Sequence, residues 1–282
     1  MDITLTLHHG DCLEIMKSIP NKSVDLIICD LPYGCLHAER RTTDERIIDP
    51  VGSTRGSGVI AGCAWDIKID LKAFWEQVKR IRKSDHSPCI HFCTTRFGFE
   101  LHASNPDEFR YDLVWDKQRG VSFLSANKMP MRSHEMIYVF SKAGAFYNRK
   151  DIEGEFKKWN VKTDRKINTQ TYNGQVPFAP TNTEGGDGKR CVLSVIQQHG
   201  NLKKGNHPTE KPTDLYRFLI DRYCPAGGTV LDPTFGSGNS VFTAYQMDRS
   251  AIGIEKDKKF YDKACTILDG GGMGANWRVS EV

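Results

Sequence analysis

The chain has 282 residues, with 39 Lys and Arg against 35 Asp and Glu, a formal charge of +4, and 39% hydrophobic residues. That supplies a core for one large domain with a modest insertion and excludes wholesale disorder, while no apolar run reaches the roughly 18 residues needed to cross a bilayer. The start, Met1-Asp2-Ile3-Thr4-Leu5, lacks the basic and long apolar stretches of a secretory signal, and nine scattered cysteines suit free thiols in a reducing cytoplasm better than a disulfide framework. The mild positive charge permits an anionic partner without demonstrating one.

In chain order, Ile3 to His8 alternates like a short strand, and Cys12, Ile15, Met16 and Ile19 recur at helical spacing up to Pro20. Val24 to Cys29 is a nearly continuous apolar run of the kind buried on both faces of a parallel sheet. Leu71, Phe74, Trp75, Val78 and Ile81 predict an amphipathic helix. Cys89 to Cys93, Tyr111 to Trp115 and Met136 to Ser141 predict strands. A helix follows Pro212, then a strand (Thr229 to Leu231), a glycine turn, a helix, a strand (Ala251 to Ile254) and a last helix carrying Phe260, Tyr261, Ala264 and Leu268. This alternation predicts an α/β fold, a doubly wound and mostly parallel sheet that takes ligands at the carboxyl ends of its strands. Residues 144–206, rich in Asn, Thr, Gly and Lys, break the pattern and read as an insertion. The chain therefore divides into 1–143, the insertion 144–206, 207–269, and a glycine-rich tail, 270–282, expected to be flexible.

The glycine turn Asp232-Pro233-Thr234-Phe235-Gly236-Ser237-Gly238-Asn239 lies between strand and helix, where backbone amides and the helix dipole favour a ligand. A phosphate-binding loop would need a Lys after the last glycine, and none is there. A dinucleotide fingerprint would need a small residue where Val241 stands. Asp232 would repel phosphate and favour a sulfonium or ammonium group. Glu255, nineteen residues after Gly236, closes the next strand where an acid accepts from ribose hydroxyls. A ligand with a ribose, a positive charge and no phosphate is S-adenosylmethionine.

Asp30-Leu31-Pro32-Tyr33-Gly34 directly follows the buried strand, so it faces the same crevice. It suits methyl transfer to the exocyclic nitrogen of a nucleobase, whose lone pair is delocalised into the ring. The Asp30 carboxylate and the Leu31 carbonyl, held by Pro32, would accept the two amine hydrogens, direct the lone pair at the methyl and stabilise charge developing on nitrogen. Tyr33 would stack on the base, which must be flipped out of the duplex to arrive. Taken alone, this loop is equally a common turn; beside the glycine turn it becomes specific.

The two segments resemble the catalytic and cofactor motifs of the amino-group DNA methyltransferases, which modify adenine N6 or cytosine N4. The catalytic motif precedes the cofactor loop, as in the family's permuted beta group. Other matches fall in order. His9-Gly10-Asp11-Cys12 resembles the segment that contacts the cofactor adenine, and Trp115-Asp116-Lys117 with Arg132-Ser133-His134-Glu135 resembles the strand pair lining the base pocket. His207-Pro208-Thr209-Glu210-Lys211-Pro212 resembles the motif beside the cofactor methionine. The resemblance implies a cofactor set of Asp11, Cys12, Asp30, His207, Thr209, Lys211, residues 232 to 239 (Asp232, Pro233, Thr234, Phe235, Gly236, Ser237, Gly238, Asn239), Glu255 and Lys256, with Asp30, Leu31, Pro32 and Tyr33 catalytic. Leu31 departs from the family's usual proline, and Glu210 stands where Gln is common.

Asp30, where cytosine enzymes of the family usually carry Ser, favours adenine. Cytosine N4, an inactive DNA-binding relative, and an RNA or protein amide methyltransferase are the alternatives. Between Tyr147 and Lys166 stand seven basic residues (Arg149, Lys150, Lys157, Lys158, Lys162, Arg165, Lys166) against four acidic ones, with aromatics interleaved. This suits contacts to the phosphates of double-stranded DNA as well as it suits a solvated insertion. Arg40 to Gly62 is either a lid over the base or a surface loop. Cys89 to Cys93 has metal-capable side chains, but without a fourth ligand no metal is expected, and His134-Glu135 is assigned only a pocket-lining role. The short recognition segment leaves room for a homodimer; a cognate endonuclease is compatible but not implied.

Overall fold

The computed structural model describes residues 3–34, 67–121, 126–149, 152–153, 189–190, 193–198, 210–272 and 277–281. The larger of two units comprises Met1–Asn148 and Ser194–Val282, and the smaller Arg149–Leu193. In chain order the elements are β1 (Leu5–His9), α1 (Cys12–Met16), β2 (Leu26–Cys29), α2 (Leu71–Ile81), β3 (Cys89–Cys93), α3 (Thr95–Ser104), β4 (Phe109–Val121), β5 (Arg132–Phe140), β6 (Ile152–Glu153), β7 (Lys189–Arg190), β8 (Val195–Gln197), α4 (Thr213–Tyr223), β9 (Thr229–Asp232), α5 (Asn239–Gln246), β10 (Ser250–Glu255), α6 (Lys258–Ile267) and β11 (Trp277–Glu281). Within the smaller unit, β6 and β7 pair antiparallel.

The larger unit holds a nine-stranded sheet in the order β11-β1-β10-β9-β2-β3-β5-β4-β8. Every neighbouring pair is parallel except β3–β5 and β5–β4, which makes β5 the one reversed strand. Its core has two layers because strand side chains alternate in direction. Leu26 and Ile28 of β2 face Leu215 and Leu219 of α4 and Phe242 of α5. Ile27 and Cys29 face the other way, against Ile15 of α1, Phe74 and Val78 of α2 and Leu101 of α3. The expected doubly wound α/β architecture is therefore present. The helix starts are capped: Asp11, Asp70, Thr94 and Asp257 each accept a backbone N–H in the first turn of α1, α2, α3 and α6.

The structure departs from the sequence expectations at three places. The smaller unit begins at Arg149, not 144, because the preceding stretch is bonded to the larger one: Ala143 N–H donates to the Asp85 carbonyl at 2.8 Å, Phe146 N–H to His86 at 2.8 Å and Asn148 N–H to Arg222 at 2.7 Å. It also ends earlier, since β8 pairs with β4. The tail expected to be flexible contributes β11, which pairs along the outer edge of β1 from Leu5↔Trp277 to His9↔Glu281. An open parallel edge recruits a strand through its unpaired backbone groups, which glycine-rich composition does not reveal. Helix α3 escaped prediction because Gly98 interrupts its pattern. A Cβ there would come within 2.9 Å of the Tyr138 ring, so the glycine allows the helix to approach β5.

Candidate active site

Strands β1, β2, β9 and β10 run parallel and deliver their carboxyl-terminal residues to one edge. A cavity of about 480 Å³ opens there. Its wall combines Asp11 and Cys12 after β1, Asp30, Leu31, Pro32 and Tyr33 after β2, Pro233, Thr234, Phe235, Gly236 and Ser237 after β9, and Glu255 and Lys256 at the end of β10. Thus the two loops, some two hundred residues apart in sequence, meet. The Thr234 hydroxyl donates to the Asp30 carbonyl at 3.3 Å.

The floor is set by backbone-bonded carboxylates. Glu255 accepts from Gly236 N–H at 2.9 Å and from Asp257 N–H at 2.7 Å, and burial raises its pKa. Asp11 caps α1 through Leu13 N–H at 3.0 Å and pairs with Lys256 Nζ at 3.0 Å. Burial works upward on the Asp11 pKa, but Lys256 and the amide outweigh it and hold the carboxyl below its ordinary range.

At the other end both oxygens of Asp30 are engaged. Oδ1 accepts from the Tyr33 hydroxyl at 2.7 Å, and Oδ2 from Lys211 Nζ at 2.6 Å. Burial, then the carboxylates of Asp30 and Glu135, raise the Tyr33 pKa and keep the phenol a donor. Its ring lies 5.1 Å from that of Phe97. Lys211 is buried, its ammonium 3.4 Å from Glu135 Oε2 and 5.2 Å from the centre of the Phe92 ring. Burial disfavours the ammonium, yet Asp30 and Glu135 overcome it and raise its pKa. Glu135 in turn accepts a very short hydrogen bond from Lys117. Burial pushes the Glu135 pKa up, and Lys211 and Lys117 bring it below the ordinary value.

Three of the expected cofactor residues do not line the cavity. Asp232 is 1% exposed and turns away from the cleft, accepting from Thr234 N–H at 2.9 Å and from the Ser240 hydroxyl at 2.5 Å. It braces the loop from behind, so the expectation that its charge faces a sulfonium is corrected. Burial pushes this carboxyl up to about 7. Gly238, at φ 86°, precedes the first turn of α5 and packs against Phe242. Asn239 donates its amide to the Glu210 side chain at 2.8 Å and to the Lys211 carbonyl at 2.9 Å, fixing the backbone that carries Lys211. His207, Thr209, Lys150, Lys157, Lys158, Lys162, Arg165, Lys166 and the 40–62 loop lie outside the described residues, while Arg149 is exposed in the smaller unit.

Sequence reading missed several lining residues: Ile67 to Asp70 ahead of α2, Tyr216 on α4 and Phe260 on α6. The periodic aromatics of α4 and α6 signalled burial, not which end of each helix reaches the cleft. Nearby, Cys29 joins Cys89 and His91 in a wholly buried cluster, with Sγ–Sγ 3.9 Å and Cys89 Sγ–His91 Nε2 3.3 Å. Cys93 is not part of it, and no fourth ligand completes it among the described residues.

A doubly wound sheet whose carboxyl edge joins an acid-floored cleft to a carboxylate-and-tyrosine loop defines a methyltransferase of Rossmann-like fold. The profile of the DNA methylase family N6_N4_Mtase matches residues 24–266, and the chain belongs to that family. It is 29% identical over 279 residues to "Type II methyltransferase M.HinfI" of Haemophilus influenzae, spanning 93% of this chain and 68% of that protein. It is 27% identical over 271 residues to "DNA adenine methyltransferase YhdJ" of Escherichia coli (strain K12), spanning 94% and 82%. The solved "PvuII DNA methyltransferase (cytosine-N4-specific)" shares the fold at TM-score 0.61 and 15% identity, covering 96% of this chain and 90% of that one.

The protein is thus a DNA methyltransferase that uses S-adenosylmethionine on an exocyclic amino group of a base. The cavity's donor set fits that cofactor. Glu255 and Asp11 offer acceptors to hydroxyl and amino groups, Gly10 and Gly236 let the backbone come close, and the turn lacks a phosphate-holding lysine. When bound, the cofactor supplies an electrophilic methyl on a sulfonium. No helix among the described residues is long and apolar enough to cross a membrane.

Proposed function

We propose that the base is adenine, modified at N6 after flipping out of double-stranded DNA. The observation that carries this reading is Asp30 at the cleft end of β2, a carboxylate within hydrogen-bond reach of two donors and beside the glycine turn. There a target amine would donate to Asp30 and to the Leu31 carbonyl. Its nitrogen lone pair would then point at the methyl, and the positive charge growing on nitrogen would meet a preorganised carboxylate. Tyr33 would supply an aromatic face for the base. The "adenine" in the name of the Escherichia coli relative supports the choice, as does Asp rather than Ser at position 30. Basic residues of the 149–166 stretch would contact phosphates and lend affinity that falls with salt.

The competing reading is cytosine N4, the specificity in the name of the PvuII structure. Incubation with label-donating cofactor and duplex DNA, followed by digestion to nucleosides, separates the two. Labelled N6-methyladenine is expected; labelled N4-methylcytosine would replace the adenine reading, and cofactor binding without transfer would mark an inactive relative. Asp30→Asn should lower transfer at least a hundredfold while leaving cofactor affinity within a few-fold.

A further inference from the structure

In the structure, the acceptor intended for the target amine is already occupied. Tyr33 holds Asp30 Oδ1, and the Lys211 ammonium holds Oδ2 at 2.6 Å. Each oxygen can accept a second hydrogen bond, but an amine that enters along the direction Lys211 now uses displaces that bond, and leaving a buried ammonium unpaired is costly. A second acceptor is in place. Glu135 engages Lys117 through Oε1, whereas Oε2 is buried and its nearest cation is Lys211 Nζ, a long ion-pair contact at 3.4 Å against 2.6 Å to Asp30. Lys117 and Lys211 balance Asp30 and Glu135 in charge, so a shift of the ammonium between carboxylates leaves the cluster neutral.

We propose that Lys211 is a place-holding cation: it holds the Asp30 carboxylate in its aimed position, then passes to Glu135 Oε2 when the target amine arrives. This rests on the methyl-transfer reading above and deepens it, making Lys211 and Glu135 positioning residues that act through Asp30. The Asn239 amide, bonded to the Lys211 carbonyl and to Glu210, anchors the backbone while the side chain moves. The cation–π contact with Phe92 gives the ammonium a partner common to both positions. No bond other than hydrogen bonds changes in the shift. The proton shed from the methylated nitrogen leaves to solvent.

Two kinds of measurement test it. In cofactor-free protein, 15N NMR of the Lys211 side chain should show a lower pKa in Glu135→Gln than in the wild type, since one of its two carboxylate partners is gone. An unchanged titration would overturn the proposal without reference to turnover. In transfer assays, Glu135→Gln should lower kcat/KM for DNA about 10- to 100-fold, the range for a hydrogen bond to a charged group, with cofactor affinity unchanged.

The double variant Lys211→Met/Glu135→Gln should match Lys211→Met in kcat/KM within about twofold, because Glu135 works only through Lys211. Losses that multiply in the double variant would overturn the proposal. A wild type that labels no base would instead end the methyl-transfer reading while leaving the NMR result standing.

Discussion

Asp232→Asn tests whether the glycine turn is braced by a carboxyl buried against its own preference. The side chain is 1% exposed, and burial raises its pKa from 3.8 in the unfolded chain to about 7, with Asp30 and Glu255 adding to the rise and the Ser240 and Thr234 hydrogen bonds opposing it. Between those values the folded protein retains a proton that the unfolded chain has released. Raising the pH through this window therefore lowers stability, and the loss levels off above about 7. At about 1.4 kcal/mol per pH unit, the span from about pH 5 to about pH 8 should cost the wild type roughly 3 kcal/mol at this one site. Asparagine keeps an acceptor for Thr234 N–H, turns an amide donor toward the Ser240 oxygen and does not titrate. Any difference in hydrogen-bond quality enters as a constant offset, so the diagnostic quantity is how the stability difference between variant and wild type changes with pH. Urea unfolding of both proteins, without cofactor, across that range should show the variant gaining on the wild type by about that amount. A difference that stays flat would refute a buried, proton-holding Asp232.

The Arg82–Glu108 pair is buried at both ends and bidentate, at 2.9 and 2.7 Å, with Asn105 adding a third bond at 3.2 Å. Breaking it with Glu108→Gln should cost about 3–5 kcal/mol by leaving the guanidinium unpaired, measured by urea unfolding at neutral pH. Burial pushes the Glu108 pKa up but Arg82 brings it below 4.5, so the pair's contribution is present above that value and lost as pH falls through the folded one. The variant should lack this acid-side slope, and an unchanged slope would show that the pair does not titrate as described. At Gly253, a Cβ would lie 2.7 Å from Phe235, 2.9 Å from Leu7 and 3.2 Å from Val241. Gly253→Ala should lower stability by about 1–3 kcal/mol through overpacking and weaken cofactor binding several-fold by pushing on the Phe235–Gly236 turn. Calorimetry showing native affinity would separate that turn from the cofactor.

The chain's local text determines what depends on near neighbours. The run from Leu26 to Cys29 has to be a buried strand because none of its side chains carries a charge or hydroxyl to turn to water, and the turn from Asp232 to Gly238 has to bend because its glycines adopt backbone angles that other residues resist. The acidic loop after β2 and the acid closing β10 were legible for the same reason: strand ends in an alternating α/β chain point to one edge.

Tertiary structure decided the partnerships. Lys211 reaches Asp30 from 181 residues away, and Glu135 joins them only because β5 runs backwards beside β3. Asp232 faces inward because Ser240, the second residue of α5, stands there to bond it. The last strand forms because β1 has an open edge. Periodicity fixes a residue's direction relative to its own backbone. The group it meets depends on strand order and chain reversal, which are set by burial and backbone pairing summed over the whole sheet.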